Sequence, residues 1–251
     1  MRVSFLRLAA AAMLSLALAG CEEKGGEARE KTASYRYKLT IAVNTPDGIK
    51  RASSVGEVQY RKVLIPERGI MDKLQGDALY LDLGPGARPL IALLTSRLTS
   101  QLHHNYGKPF DWQRGKDGWS PDSGPGQLAR IYGLTPSRDF MDDVRRIAQM
   151  RGARAIPPAD LPDLVTFADI NDPKSVIEVD PSDLPATLGP HITWNELTLE
   201  ITDEPITRGI RTNLPWLGAY HAGNLRLDGS QFGPNKGLAN ILSWADFEKI
   251  Y

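Results

Sequence analysis

Cysteine is almost absent from this chain, which has a single one, Cys21, among its 251 residues. One sulfur cannot form a disulfide within the chain, so the small disulfide-stapled folds are excluded. The residues that follow Cys21 are numerous enough to bury one sizeable hydrophobic core. We therefore expect packing alone to stabilise the fold.

The chain also lacks an excess of charge of either sign and, after Cys21, any long apolar run. Its 30 basic residues balance 30 acidic ones, so there is no electrostatic basis for binding nucleic acid. No later stretch approaches the roughly 20 apolar residues of a membrane-spanning helix. We expect no nucleic-acid partner and a folded body outside the bilayer.

The N-terminus has the composition of a secretory signal peptide over residues 1–20. Arg2 and Arg7 flank the start of an almost unbroken apolar run over residues 8–19, which ends in small residues. Such a run is typical of a signal peptide and is too short to span a bilayer as a helix. We expect it to be removed.

The residues Leu18-Ala19-Gly20-Cys21 resemble the lipobox of bacterial lipoproteins in type, order and position. The resemblance implies a diacylglycerol on the Cys21 sulfur and acylation of the new amino terminus. Each buried methylene adds about 0.8 kcal/mol, so two or three chains would anchor the protein almost irreversibly. Glu22 follows Cys21 in place of the aspartate that typically retains enteric lipoproteins at the inner membrane. The expected location is the outer membrane, facing the periplasm.

The expected order after the anchor is a flexible tether over residues 21–34 and a single α+β domain over residues 35–251, with two smaller domains as the alternative. The tether is rich in charge and glycine and has little to bury. Apolar side chains then alternate with polar ones from Tyr35 to Val43, which predicts a strand with one buried face. Further strands are predicted at residues 52–63, 79–83, 89–94, 164–167, 176–179 and 197–201.

One amphipathic helix is predicted over residues 136–151. Phe140, Val144 and Ile147 fall on one face, and Thr135 is placed to cap the first turn. Strands, then one helix, then more strands, without regular alternation, indicate an α+β fold. We expect a mainly antiparallel β-sheet built from hairpins, with one well-defined amphipathic helix and long loops.

Catalytic, metal-binding and cofactor-binding motifs are not found, so we predict no catalytic residue, no metal and no cofactor. The histidines lack a metal-ligand spacing and are interpreted as solvated loop residues. The segment from Asp169 to Pro173 is interpreted as a turn, with calcium as the alternative. Paired acids could serve a glycosidase, but spacing in sequence does not give their distance in space. The sets concerned are His103, His104, His191 and His221 for the histidines, and Glu200 with Asp203 and Asp180 with Asp183 for the acids.

The long segment 103–126 is the most unusual part of the sequence. Tyr106, Trp112 and Trp119 are interleaved there with charged and amide side chains. Loops of this length without periodicity are often functional, and this mixture suits stacking on a sugar or anchoring a protein. The alternative is that the aromatic rings pin the loop to the core. The three aromatic residues are the candidate ligand-binding residues.

Residues 167–188 and 198–217, with Asn171-Asp172-Pro173 and Leu214-Pro215-Trp216-Leu217, resemble a group of bacterial proteins without an established activity. The resemblance implies residence in the cell envelope and no particular chemistry. Two functions remain open at this point. One is non-catalytic binding of a partner protein or a cell-wall glycan. The other is a periplasmic hydrolase whose carboxylates converge in the fold.

Overall fold

Two antiparallel sheets dominate the computed structural model, which describes residues 31–62, 70–94, 124–135, 137, 139–231 and 237–250. One sheet has six strands in the order β10-β3-β2-β1-β9-β6, and the other has four in the order β4-β5-β7-β8. The fold class predicted from the sequence is confirmed. The strands are β1 (Lys31–Thr45), β2 (Gly48–Lys62), β3 (Ile70–Asp77), β4 (Leu79–Leu81), β5 (Leu90–Ala92), β6 (Arg154–Ala155), β7 (Leu164–Phe167), β8 (Val176–Glu178), β9 (Thr193–Ile201) and β10 (Glu248–Lys249).

Helices in the described residues are short, and α2 carries the predicted amphipathic pattern. It begins at Phe140, because the Oδ1 atom of Asp139 accepts a hydrogen bond from the Met141 amide at 2.9 Å. The predicted cap at Thr135 is therefore wrong. Side chains of Met141, Val144 and Ile147 form its buried face. The five helices are α1 (Gly124–Ile131), α2 (Phe140–Ala148), α3 (Leu184–Leu188), α4 (Leu217–Ala222) and α5 (Leu238–Ile241).

The first hairpin is longer than the sequence pattern predicts. Strands β1 and β2 pair without interruption from Lys31 opposite Lys62 to Thr45 opposite Gly48. The strand thus begins before Tyr35, within the segment expected to be tether. A strand can extend past the end of its alternating pattern when a neighbouring strand supplies backbone partners.

The second predicted hairpin is confirmed as β4 and β5, but it belongs to the other sheet. Strand β3, which the sequence pattern did not predict, leads directly into β4 through Ala78 and so joins the two sheets. Gly76 lies at this junction with φ +145°, and a Cβ on it would lie 3.1 Å from the Gly56 Cα. Because no side chain intervenes, the two backbones can approach closely there.

Three hydrophobic clusters fill the described part of the fold. The first lies between the sheets, where Ile41 of β1 meets Leu81 of β4 and Leu164 of β7. The second contains Phe167 of β7 together with Trp216 and Phe247 of the C-terminal segments. The third lies between α2 and one end of the six-stranded sheet. The second cluster includes Leu217 of α4 and Phe247, the residue before β10, so it holds both of these elements in place.

Candidate functional site

Most of the site residues predicted from the sequence lie outside the described residues. These are Cys21, Tyr106, Trp112 and Trp119, together with His103 and His104. Lipidation of Cys21 and ligand binding by the three aromatic residues therefore stay predictions. The Leu214-Pro215-Trp216-Leu217 segment is described, and Leu214, Trp216 and Leu217 are buried in the second hydrophobic cluster.

The segment from Asp169 to Pro173 is a turn, as predicted. Asp169 Oδ1 accepts hydrogen bonds from the backbone and side-chain nitrogens of Asn171, at 2.9 and 3.3 Å. Asp172 Oδ1 accepts from the Lys174 amide at 3.0 Å and caps a short 3-10 turn. These carboxylates serve the local backbone. Within the described residues, no three His, Cys, Asp or Glu side chains come together in a group that could hold a metal ion.

Three of the four acids singled out in the sequence have local structural roles. Asp180 Oδ1 accepts from Ser182, and Asp183 caps α3 by accepting from the Ala186 amide at 3.2 Å. Asp203 forms an exposed ion pair with Arg151 at 3.0 Å.

The strongest cluster of titratable side chains surrounds Glu248 on β10. This carboxylate is buried, with 1 % of the residue exposed. Arg211 donates to it from Nε at 2.8 Å and from Nη2 at 2.6 Å. His221 Nδ1 lies 2.9 Å from Glu248 Oε1. A buried carboxylate is tolerated when cationic donors satisfy it in this way.

An aromatic stack fixes the imidazole of His221. Its ring lies parallel to the Trp244 indole, with ring centroids 4.0 Å apart and an interplanar angle of 8°. Trp244 is itself anchored, since its Nε1 donates to Asn224 Oδ1 at 3.1 Å. The interpretation of His221 as a solvated loop residue is therefore wrong. It lies on α4 with 31 % of its side chain exposed, whereas His191 is exposed as expected.

The tautomer of His221 depends on whether its Nδ1 bonds to Arg211 or to Glu248. This nitrogen lies 2.6 Å from Arg211 Nη2 as well as 2.9 Å from Glu248 Oε1. In a neutral imidazole Nδ1 either accepts from the guanidinium or donates to the carboxylate, and Nε2 takes the opposite role. In the protonated imidazolium both nitrogens donate. The hydrogen bond from Arg211 to Glu248 raises the pKa of Arg211, so the guanidinium stays charged.

A second buried carboxylate, Asp77, lies beside this cluster. Asp77 is directly opposite Glu248 in the pairing of β3 with β10. Its Oδ2 accepts from the Ile210 amide at 3.0 Å, and its Oδ1 lies 3.7 Å from Arg208 Nη1. Arg208 Nη1 also donates to the Lys249 carbonyl at 2.6 Å. The buried groups are thus anionic, and the groups nearer the surface are cationic.

Sequence reasoning missed this cluster because its members are far apart along the chain. Arg211 and Glu248 are separated by 37 residues, and Asp77 and the Ile210 amide by 133. No local sequence pattern places His221 and Trp244 beside Glu248.

Comparisons with known proteins give no match from which a function could be inferred, so the inference rests on the geometry of this cluster. No family model, curated protein or solved structure matches the chain. Its described helices include none long and apolar enough to cross a membrane. The resemblance to a group of bacterial proteins thus stays a prediction. The cluster holds nitrogen donors of Arg211 and His221 in fixed positions beside the Trp244 indole, an arrangement that suits binding.

A turn around Asp228 braces the segment that leads to Trp244 and β10. Asp228 Oδ1 accepts from Ser230 Oγ at 2.6 Å and from the Ser230 amide at 2.9 Å, while Oδ2 accepts from Asn240 Nδ2 at 2.7 Å. The Ser230 hydroxyl is the main cause that lowers the pKa of Asp228. The amide bond, Asn240 and the charge of Arg226 lower it further, whereas burial opposes them.

This lowered pKa predicts a pH-dependent contribution to stability. Since the folded pKa lies below the unfolded one of about 3.9, the contribution is present above about pH 4 and is lost as pH falls through the folded pKa. Asp228→Asn should therefore lower the free energy of unfolding more at pH 6 than at pH 3. Urea unfolding at both pH values measures this, with Asp203→Asn as the exposed control. An equal loss for Asp228→Asn at both pH values would contradict it.

Proposed function

We propose that this chain is a lipid-anchored protein of the bacterial cell envelope whose folded domain binds a partner protein or a cell-wall glycan without converting it. The lipobox at Cys21 supports the anchor, and Glu22 supports delivery to the outer membrane. The observation that carries the binding role is the cluster of Arg211, His221 and Trp244 around buried Glu248. Its donors and its aromatic stack are held in place before any ligand arrives.

The state of the carboxylates favours binding over catalysis. Glu248 accepts from Arg211 and lies within hydrogen-bond distance of His221. Asp77 Oδ2 accepts a hydrogen bond from the Ile210 backbone amide. A general acid or base must reach the proton that it transfers, and both carboxylates are buried against protein groups instead. Binding requires only the partly exposed cationic and aromatic side chains.

The test is affinity capture of the full-length protein from crosslinked envelopes, followed by mass spectrometry of captured proteins and glycans. We expect a discrete partner that is lost with Cys21→Ala, because the soluble protein leaves the membrane, and is reduced in His221→Gln. His191→Gln is the matched control, since that histidine is exposed and remote in sequence. Identical capture by wild type, Cys21→Ala and His221→Gln would contradict the proposal.

A periplasmic hydrolase is the second candidate function, and one observation favours it. Asp77 and Glu248 are directly paired across β3 and β10, so two buried carboxylates do converge in the fold. His221 then offers a group that can move a proton beside a carboxylate, as in general-base catalysis. Screening the full-length protein on cell-wall glycans tests this. Turnover that Glu248→Gln abolishes, while His191→Gln leaves it intact, would replace the binding proposal with an enzymatic one.

A further inference from the structure

Two nitrogen donors beside Glu248 have no hydrogen-bond acceptor within the described part of the chain. Arg211 directs Nε and Nη2 to Glu248, which leaves Nη1. His221 directs Nδ1 towards Glu248 and Arg211, which leaves Nε2. The two side chains are 45 % and 31 % exposed. A ligand can therefore reach both side chains from solvent.

The surroundings hold these donors in position. Glu248, with 2 % of its side chain exposed, fixes one edge of the guanidinium. Trp244 holds the imidazole flat against the indole. Because both side chains are already ordered, binding a ligand would cost little additional conformational entropy. The arrangement is a preset pair of donors next to an aromatic surface.

The charges around the pair indicate the sign of the ligand. Arg211 and Glu248 contact His221 directly, while Asp77 lies opposite Glu248 on β3, with its Oδ1 3.7 Å from Arg208 Nη1. The two carboxylates are buried and the two guanidiniums are more exposed. A ligand that approaches from solvent therefore meets the guanidinium groups before it meets the carboxylates. A carboxylate matches two N–H donors, because it has two acceptor oxygens.

We propose that Arg211 Nη1 and His221 Nε2 bind the carboxylate of an acidic sugar. This inference rests on the proposed binding function, since it names the ligand class of the same site. Trp244 is half-buried beside His221, so the exposed part of its indole can contact a sugar ring bound there. When Nδ1 accepts from Arg211 Nη2, the imidazole carries its proton on Nε2, which can then donate to the ligand carboxylate.

The experiment is calorimetric titration of the full-length protein in detergent micelles with D-glucuronate. D-glucose tests the carboxylate and acetate tests the sugar. We expect glucuronate to bind, and His221→Gln and Arg211→Lys each to weaken its affinity by about tenfold. The matched controls, His191→Gln and Arg51→Lys, should bind as the wild type does, because Arg51 pairs with Glu196 elsewhere on the six-stranded sheet.

Each other outcome overturns the inference. Glucose binding as tightly as glucuronate would exclude the carboxylate, and acetate binding as tightly would exclude the sugar. An affinity that His221→Gln leaves unchanged, with a wild-type melting curve, would exclude the donor pair. If Arg211→Lys lowers the melting temperature, His221→Gln carries the test. Capture of an envelope partner that persists in His221→Gln would keep the binding function while refuting this site.

Discussion

Phe247→Ala should lower the free energy of unfolding by about 3–5 kcal/mol, as expected for deleting a fully buried aromatic ring. The Phe247 ring is 0 % exposed and lies between Phe167 and Trp216, with ring centroids 6.1 and 5.5 Å away. It also directly precedes Glu248. The cavity left by alanine would therefore loosen the second hydrophobic cluster and the strand that holds the candidate site.

Urea unfolding of the full-length protein in detergent measures this loss. Ile49→Ala is the matched control, because Ile49 is 59 % exposed at the start of β2. Exposed substitutions of this kind usually change stability by less than about 0.5 kcal/mol. A loss below about 1 kcal/mol for Phe247→Ala would mean that the ring is not packed as described.

Gly76→Ala should lower the free energy of unfolding by about 2–4 kcal/mol, for two reasons that act together. The φ of +145° is unfavourable for any residue with a Cβ. That Cβ would also lie 3.1 Å from the Gly56 Cα and 3.3 Å from the Val55 carbonyl oxygen, both of them backbone atoms. Backbone atoms in a paired strand cannot yield as a flexible side chain does. The substitution strains the junction where β3 leads into β4.

Gly48→Ala separates the two causes. Gly48 also has a positive φ, +106°, but nothing lies within 4 Å of the position that a Cβ would take there. Its substitution should cost only the backbone strain, about 1–2 kcal/mol. Thermal and urea unfolding of both variants give the comparison. Equal losses would show that the close approach of Gly76 to Gly56 adds nothing.

The strands that were predicted well bury one face or lie wholly in the core. Tyr35, Leu39, Ile41 and Val43 alternate because one side of β1 faces the interior, and β7 has the predicted bounds of residues 164–167. Strand β3 was missed because its residues show no clear alternation of apolar and polar types. Its pairing with β2 supplies the backbone hydrogen bonds that its sequence pattern does not indicate.

The start of α2 also could not be predicted from residue types alone. Thr135 and Asp139 are both acceptable capping residues by type. In the fold, the Thr135 carbonyl accepts a hydrogen bond from Arg146 at 2.9 Å, and Asp139 caps α2. Which of two suitable residues caps a helix depends on where the incoming chain runs, and the amino-acid types do not specify that path.

The sequence by itself determined the fold class, the lack of an internal disulfide and the position of most strands, since these follow from composition and from local periodicity. Only the tertiary structure decided that Arg211, His221 and Trp244 meet around Glu248. The pairing of β10 with β3 spans two residues on each strand, too short to leave a periodic signal. Burying Glu248 is favourable only where distant cationic side chains converge on it, and that convergence is a property of the whole fold.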